Sequence, residues 1–259
     1  MNPAATVDAA LRQARERGVE RLDAHLLLAH VLGQSRAWLL AHGDDRLSDA
    51  QAAAFGTLIE RRADGEPFAY LVGQREFHGL SLAVTDAVLV PRPDTETLVE
   101  WALELLAGPL DEAGHPAVLD LGTGSGAIAL AIKHACARAQ VWAGERSADA
   151  LAGETGVPAF DLVVSNPPYI AADDPHLAAL VHEPLSALVA GDEGLADIRR
   201  IAEGAAGRLR AGGWLLFEHG WQQAPAVQAI LQRNGFREVT TRVDLEGRAR
   251  CTGGRILSL

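Results

Sequence analysis

The chain has 259 residues, enough for one or two domains with a large buried core. Its composition is that of a globular protein, with 48% hydrophobic and 22% charged residues, and no long apolar run or signal peptide is visible, which argues against membrane and secreted classes. The net charge of −11, of which about −10 falls in residues 76–259, disfavours nucleic acid as a partner. The two cysteines form no CxxC motif, so a cytoplasmic protein is expected.

The N-terminal part of the chain predicts helices. Apolar residues keep a helical period through 7–14, 22–32 and 50–62, and without strand-like alternation they predict a small helical bundle over residues 1–74. Residues 75–84 alternate around Gly79 as a short β-hairpin does, and we place a linker at 75–90. Beyond it, Pro93 restricts Arg92 to extended backbone, and Asp94 is a good N-cap for a helix at 95–107.

From residue 117 onward, strand patterns alternate with helix patterns. Strands are predicted at 117–121, 139–143, 160–165, 214–218, 236–243 and 255–259, and helices at 128–135, 195–209 and 224–233. Such alternation is typical of a parallel, doubly wound α/β domain, which we assign to residues 91–259.

A glycine-rich loop follows the first of these strands, with Gly122, Thr123, Gly124, Ser125 and Gly126 in succession. Glycines let a ligand approach the backbone closely, and the helix that begins there offers free N–H groups. Glu145 ends the next strand, where an acidic side chain can accept hydrogen bonds from ribose hydroxyls. The loop predicts a nucleoside cofactor. With Ala127 it also satisfies the dinucleotide-binding pattern, so a dehydrogenase remains an alternative at this point.

A second motif, Asn166-Pro167-Pro168-Tyr169, directly follows the strand at 160–165. An sp² amino group is a poor nucleophile because its lone pair is delocalised. The Asn166 carbonyl and a backbone carbonyl can accept its two N–H bonds, which orients the nitrogen and stabilises the positive charge that develops during attack. The Tyr169 ring can cover the face of a planar amide or base. The motif therefore predicts methyl transfer to an amino group by positioning, without a metal.

Together, the glycine-rich loop and Asn-Pro-Pro-Tyr resemble the S-adenosylmethionine-dependent amino methyltransferases. Further stretches narrow the resemblance to the HemK/PrmC family, the release factor glutamine N5-methyltransferases, and it extends over nearly the whole chain. These stretches are residues 66–77, 91–96, 182–184, 192–195, 218–220 and 244–248.

The resemblance implies a Rossmann-like methyltransferase domain, preceded by a helical domain that docks the release factor and joined to it by the hairpin. The implied substrate is the glutamine of the Gly-Gly-Gln motif of peptide chain release factors. S-adenosylmethionine would become S-adenosylhomocysteine, and a monomer is expected. The implied cofactor residues are Gly122, Thr123, Gly124, Ser125, Gly126, Glu145 and Asn166; the implied catalytic residues are Asn166, Pro167, Pro168 and Tyr169.

One segment departs from the family pattern. Only 20 residues separate Glu145 from Asn166, and the 14 residues 146–159 must form the whole crossover, about one helix and one strand too few. Three explanations fit: a natural deletion, an engineered deletion, or a segment missing from the sequence. At residues 150–156 the start of a helix pattern passes directly into a loop pattern, which favours a missing segment. No residue is assigned to cover the adenine. A DNA or ribosomal RNA amino methyltransferase and a non-catalytic family member without cofactor affinity remain alternatives.

Overall fold

The computed structural model describes residues 6–145 and 159–257. The chain divides into two compact units, one formed by Met1–Gln74 with Ala83–Asp86 and the other by Arg75–Leu82 with Ala87–Leu259. The short crossover expected at 146–159 lies, except for its last residue, outside the described residues. Within the described part of the chain, no helix is long and apolar enough to cross a membrane.

The first unit is helical. Its helices are α1 (Val7–Glu16), α2 (Arg21–Leu32), α3 (Arg36–Ala41), α4 (Asp49–Ala63) and α5 (Phe68–Val72). Ser48 begins α4 with a capping box: its hydroxyl accepts from the Gln51 N–H, and the Gln51 side chain accepts from the Ser48 N–H. Leu27, Leu28 and Phe55 belong to one buried core. The predicted helical bundle is confirmed, with α3 as an addition too short to show a period.

The predicted hairpin is also confirmed. Strands β1 (Gln74–Phe77) and β2 (Leu80–Ala83) pair with each other. The two residues between them, His78 and Gly79, have φ of 48° and 77°. Positive φ at both central positions is typical of the turns whose twist matches that of paired strands, and glycine adopts it without strain.

The second unit contains a six-stranded sheet with the order β4-β3-β5-β6-β8-β7. The strands are β3 (Ala117–Leu121), β4 (Gln140–Gly144), β5 (Phe160–Ser165), β6 (Leu209–Glu218), β7 (Arg237–Val243) and β8 (Ala249–Arg255). The helices are α6 (Glu96–Ala107), α7 (Ala127–Ala135), α8 (Ala196–Ala206) and α9 (Ala224–Arg233). Shorter 3-10 turns lie at Pro93–Thr95, Asp111–Ala113, Pro175–Ala179 and Leu185–Ala187.

Helices cover both faces of this sheet. Successive strand residues point to opposite faces, so Val118 packs in one buried cluster with α6 and α7, whereas Leu119 packs in another with α8 and α9. The α/β class predicted from the sequence is therefore confirmed.

The sheet is mixed, which corrects the expectation of an all-parallel sheet. Strands β4, β3, β5 and β6 are parallel, but β8 runs antiparallel to both β6 and β7. A tight turn causes the reversal: the Asp244 carboxylate accepts from the N–H groups of Glu246 and Arg248, and Gly247 has a φ of 79°. The last strand is Ala249–Arg255, so the strand predicted at 255–259 was placed too late.

The start of α6 corrects a second expectation. The Pro93–Thr95 turn leads into this helix, and Thr95 at its N-cap makes no side-chain cap bond. Asp94 is no N-cap, because it lies inside the Pro93–Thr95 turn; its Oδ2 lies 3.0 Å from Nη2 of Arg250 in an ion pair. Arg92 is extended as predicted, with φ −96° and ψ 143°.

Strand β8 contains two adjacent glycines at places where the sheet is closely packed. A β-carbon on Gly253 would lie 2.3 Å from Cδ2 of Leu216 and 3.0 Å from both the Leu215 oxygen and Cη2 of Trp101. Glycine at this position thus permits close packing inside a strand.

Replacing Gly253 by alanine is expected to lower the free energy of unfolding by about 2–3 kcal/mol, since the added methyl group overfills a packed region that includes backbone. Gly207→Ala is the matched control, because Gly207 has a φ of −83° and its β-carbon would meet nothing within 4 Å. That change is expected to be neutral or slightly stabilising. Urea unfolding monitored by tryptophan fluorescence compares the two, and equal midpoints would contradict the packing analysis.

Candidate active site

Three strands of the second unit end side by side. Leu121, the last residue of β3, pairs with Gly144 of β4 on one side and with Ser165 of β5 on the other. The carboxyl edge of a parallel sheet is where α/β domains bind ligands. The glycine-rich loop, Glu145 and Asn166 each follow one of these strands, so the sequence motifs meet at this edge.

The glycine-rich loop is folded against the end of β4. The Gly122 N–H donates to the Gly144 oxygen at 2.8 Å, and the Gly124 N–H donates to Oε2 of Glu145 at 2.9 Å. Gly122 and Gly124 have φ of 72° and 52°, and a β-carbon at either would meet nothing within 4 Å. These glycines therefore supply a backbone conformation and leave space free above the loop.

Asp120 holds the loop from below. Its Oδ2 accepts from the Thr123 hydroxyl at 2.7 Å and from the Ala129 N–H at 3.1 Å. The N-cap of helix α7 is Gly126, which has no side chain to cap the helix, so Asp120 caps it from the preceding strand. Burial raises the pKa of Asp120 to about 6, although both hydrogen bonds lower it. Its Oδ1 is buried and, among the described residues, has no hydrogen-bond partner.

The Asn166–Tyr169 segment is held at both ends. At the first end, Nδ2 of Asn166 donates to Oγ1 of Thr95 at 3.2 Å. At the other, the Tyr169 hydroxyl donates to Oε1 of Glu218 at 3.3 Å, and Nε2 of Gln223 donates to the Tyr169 carbonyl oxygen at 3.0 Å. The two prolines between have no N–H, so this part of the backbone offers only acceptors.

Gly194 follows Asp192 and Glu193 in the family-like stretch 192–195, and its surroundings explain why this residue is a glycine. A β-carbon there would lie 2.1 Å from the Tyr169 carbonyl oxygen, and the φ of Gly194 is +84°. The position thus needs glycine for space and for conformation, and it supports the Tyr169 backbone.

A cavity of about 270 Å³ opens between the loop and the Asn166 segment, close to the lower end of the range of about 300–1,000 Å³ that is usual for small-molecule sites. Eight of the ten residues predicted as site residues line it: Gly122, Thr123, Gly124, Ser125, Glu145, Asn166, Pro167 and Pro168. Gly126 and Tyr169 do not line it; Gly126 starts α7, and the Tyr169 hydroxyl points to Glu218. The structure brings the set together, while the roles of its members stay predictions.

Several residues at this site were not predicted from the sequence. Thr95 and Asp197 line the cavity, and Glu218 lies at the end of β6 with 1% of its surface exposed. Burial raises the pKa of Glu218 to about 7, opposed by the Thr95 hydroxyl and by Arg250. Thr95 and Glu218 belong to family-like stretches at 91–96 and 218–220, but no spacing rule links residues so distant in sequence.

Buried polar groups surround this part of the site. Arg250 is 7% exposed and pairs with Asp94 and, at 3.1 Å, with Asp244. Burial raises the pKa of Tyr169 well above its usual range, so its hydroxyl stays a neutral donor. Within residues 6–145 and 159–257, no group of three or more His, Cys, Asp or Glu side chains is arranged to hold a metal ion.

Known proteins match this chain along most of its length. Residues 6–73 match the family described as PrmC N-terminal domain. The release factor glutamine methyltransferase of Bordetella pertussis is 49% identical over 92% of this chain and 95% of its own length. The protein of the same name from Xylella fastidiosa strain Temecula1 is 48% identical, over 95% of this chain and 97% of its own length.

The chain belongs to this family of release factor glutamine methyltransferases. The resemblance drawn from the motifs is thereby confirmed. The alignment with the Xylella family member runs over 275 positions, more than the 259 residues of this chain, so that relative has residues without a counterpart here. Among solved structures, the hMettl16 catalytic domain has the same fold, with a TM-score of 0.51 and 16% identity over 80% of this chain and 82% of that one.

The buried Asp120 predicts a pH-dependent stability difference. Its pKa is raised on folding from 3.8 to about 6, so its contribution is most favourable below about pH 4 and is lost as the pH rises through 6. Asp120→Asn keeps an oxygen acceptor and removes the charge. Relative to wild type, the variant is expected to gain about 2 kcal/mol of unfolding free energy between roughly pH 4.5 and pH 7.5.

Urea unfolding of both proteins at the two pH values measures this difference in unfolding free energy. The pH-dependent contributions of the other carboxyl groups cancel, because both proteins contain them. Asp120→Ala serves as the control, because it removes the charge together with the cap of α7 and is expected to be destabilised at both pH values. If the difference in unfolding free energy between wild type and Asp120→Asn did not change with pH, folding would not raise the pKa of Asp120.

Proposed function

We propose that the chain transfers a methyl group from S-adenosylmethionine to the side-chain amide nitrogen of a glutamine in peptide chain release factors, the glutamine of their Gly-Gly-Gln motif. The observation that carries the proposal is the single cavity lined by both the glycine-rich loop and Asn166. Family membership supports the substrate, since the curated relatives are named for release factor glutamine methylation. A cytoplasmic monomer that uses no metal, as expected from the sequence, is part of the proposal.

The residues at the loop fit S-adenosylmethionine. Any side chain at Gly122 or Gly124 would project into the space that the loop leaves free. The exposed Glu145 carboxylate uses Oε2 for the Gly124 N–H, which leaves its other lone pairs for ribose hydroxyls. Leu121, Ile128 and other apolar residues line the same cavity. When bound, the cofactor supplies a methyl group that is activated by its positively charged sulfur.

Asn166 is proposed to orient the target amide. Its Oδ1 would accept one N–H of the glutamine side chain, and a backbone carbonyl of the proline segment would accept the other. These acceptors hold the nitrogen lone pair toward the methyl group and stabilise the positive charge that develops as the C–N bond forms. The nitrogen then loses a proton to solvent, so no base with a tuned pKa is needed before attack.

We propose that three parts of the chain have separate roles. Residues 1–74 hold the release factor, 75–90 form the linker, and 91–259 carry the chemistry. The first 75 residues have 9 basic and 10 acidic side chains, against an excess of about ten acidic side chains in the rest. A nearly neutral helical unit suits protein docking better than it suits a nucleic acid backbone, and the PrmC N-terminal domain match covers this unit.

Cofactor affinity is the first property to measure, because relatives have residues that this chain lacks. Calorimetric titration with S-adenosylmethionine is expected to show saturable one-to-one binding. Glu145→Ala is expected to weaken it about tenfold or more, because a charge-assisted hydrogen bond to the ribose is lost. Glu203→Ala, which removes an exposed acid on α8, is the matched control. No binding by the folded wild-type chain would identify a non-catalytic family member.

Asn166→Ala is expected to reduce methyl transfer to a release factor by at least about 10²-fold, since the amide loses its orienting acceptor. Mass spectrometry of the Gly-Gly-Gln peptide measures the added methyl group. Asn234→Ala is the control, because Nδ2 of Asn234 bonds only its own helix end, at the Ile230 oxygen. Retained turnover in Asn166→Ala would refute its role, and transfer to RNA or DNA instead of the release factor would refute the substrate.

A further inference from the structure

Gln223 lies in the turn that follows β6, and it is half-buried. Its backbone N–H donates to the Gly220 oxygen at 2.8 Å, and its side-chain Oε1 accepts from the Gly220 N–H at 2.9 Å. The two residues form a reciprocal pair, which fixes the side chain against its own turn. The pair also sets the direction of the Gln223 amide, because a backbone N–H can only donate and must face Oε1.

The other end of this amide, Nε2, faces two backbone carbonyl groups. It donates to the Tyr169 oxygen at 3.0 Å and to the Glu193 oxygen at 3.1 Å. Carbonyl oxygens can only accept, so each end of the amide meets groups of the matching kind. One side chain therefore connects three segments, which are the segment after β5, the turn before α8 and the turn after β6.

The turn before α8 leaves room for this contact. Asp192 and Glu193 have φ of 55° and 54°, which is unusual for residues with a β-carbon. Gly194 follows, and a β-carbon on it would lie 2.8 Å from Nε2 of Gln223. Such backbone persists only where its surroundings hold it, and the bond from Gln223 to the Glu193 oxygen is one of the contacts that do so.

The contact at Tyr169 fixes the far end of the Asn166–Tyr169 segment. Asn166 directly follows β5, so the sheet holds the first end. The rings of the two prolines restrict their φ, which leaves few rotatable backbone bonds between the ends. With the Tyr169 carbonyl held by Gln223, the part of the segment that lines the cavity is fixed from both sides.

We infer that Gln223 is a positioning residue, which sets the place of Asn166 in the cavity by holding the Tyr169 carbonyl with Nε2. Gln223 does not itself line the cavity that the described residues form, so it acts only through the segment. The inference rests on the role proposed above for Asn166, because a displaced segment would carry Oδ1 of Asn166 away from the target nitrogen.

Two substitutions separate the two ends of the Gln223 amide. Gln223→Glu keeps an acceptor for the Gly220 N–H but loses the donor, and at about pH 8 its ionised carboxylate is repelled by both carbonyl oxygens. Its kcat for release factor methylation is expected to fall about 10- to 100-fold, because small displacements of reacting groups are costly in rate. Gln223→Lys keeps a donor of similar reach and is expected to lose less than about fivefold.

The matched control is Gln222→Glu, which makes the same change at the exposed neighbouring glutamine and is expected to leave kcat unchanged. In every variant the Kd for S-adenosylmethionine is expected to stay close to the wild-type value, since Gln223 bonds the segment after β5 and not the glycine-rich loop. Urea unfolding shows that each variant is folded before its rate is compared.

A second readout does not depend on turnover. The NMR signals of the Asn166 side-chain amide, assigned by their disappearance in Asn166→Asp, are expected to shift in Gln223→Glu and not in Gln222→Glu. Unchanged signals and unchanged kcat in Gln223→Glu would overturn the inference. A loss of rate in Gln223→Lys equal to or larger than that in Gln223→Glu would also overturn it, because the Gly220 turn would then be the part that matters. If wild type methylates no release factor but the signals shift as expected, the proposed function fails while Gln223 still positions Asn166.

Discussion

Strand β3 is hydrogen-bonded to β4 on one side and to β5 on the other, and all three strands run in the same direction. This pairing sets Leu121, Gly144 and Ser165 side by side, so the segments that follow them begin within one small region. The glycine-rich loop, Glu145 and Asn166 owe their proximity to that register, although each lies about 20 residues from the next in sequence. A shift by one residue would turn the strand side chains to the opposite faces and separate these segments.

Two buried carboxylates support this region, one at each side. Asp120 caps α7 and holds the loop, and Glu218 accepts from the Tyr169 hydroxyl at one end of the Asn166–Tyr169 segment. Burial raises the pKa of both groups, so the ionised form of each carboxylate lowers the stability of the folded protein. Neither carboxylate lies in a loop: Asp120 is the last residue but one of β3, and Glu218 is the last residue of β6. The exposed Glu145, in contrast, remains available to a ligand.

A feature can be predicted from the sequence when the residues that indicate it are close together in the chain. Glycines before a helix and the Asn-Pro-Pro-Tyr motif after a buried strand carry their meaning within a few residues, and the structure brings both to one cavity. The contact between Thr95 and Asn166 depends on tertiary packing and has no local signature. Asp94 illustrates the opposite error: its sequence context favours an N-cap, but Arg250, more than 150 residues away, takes its carboxylate. Strand β8 was predicted at 255–259 but spans Ala249–Arg255, where two glycines interrupt the strand-like sequence pattern.

The position of β8 has a consequence for biosynthesis. This strand follows all the other described strands in the chain, yet it lies between β6 and β7 and carries Arg250. Chains emerge from the ribosome N-terminal end first, and domains fold largely as units. Until residues 249–255 have emerged, β7 has no neighbour to pair with and Asp94 has no arginine. The polar surroundings of Glu218 therefore cannot be completed before residues 249–255 have emerged, so a shorter nascent chain lacks the finished site even when both of its sequence motifs are already exposed.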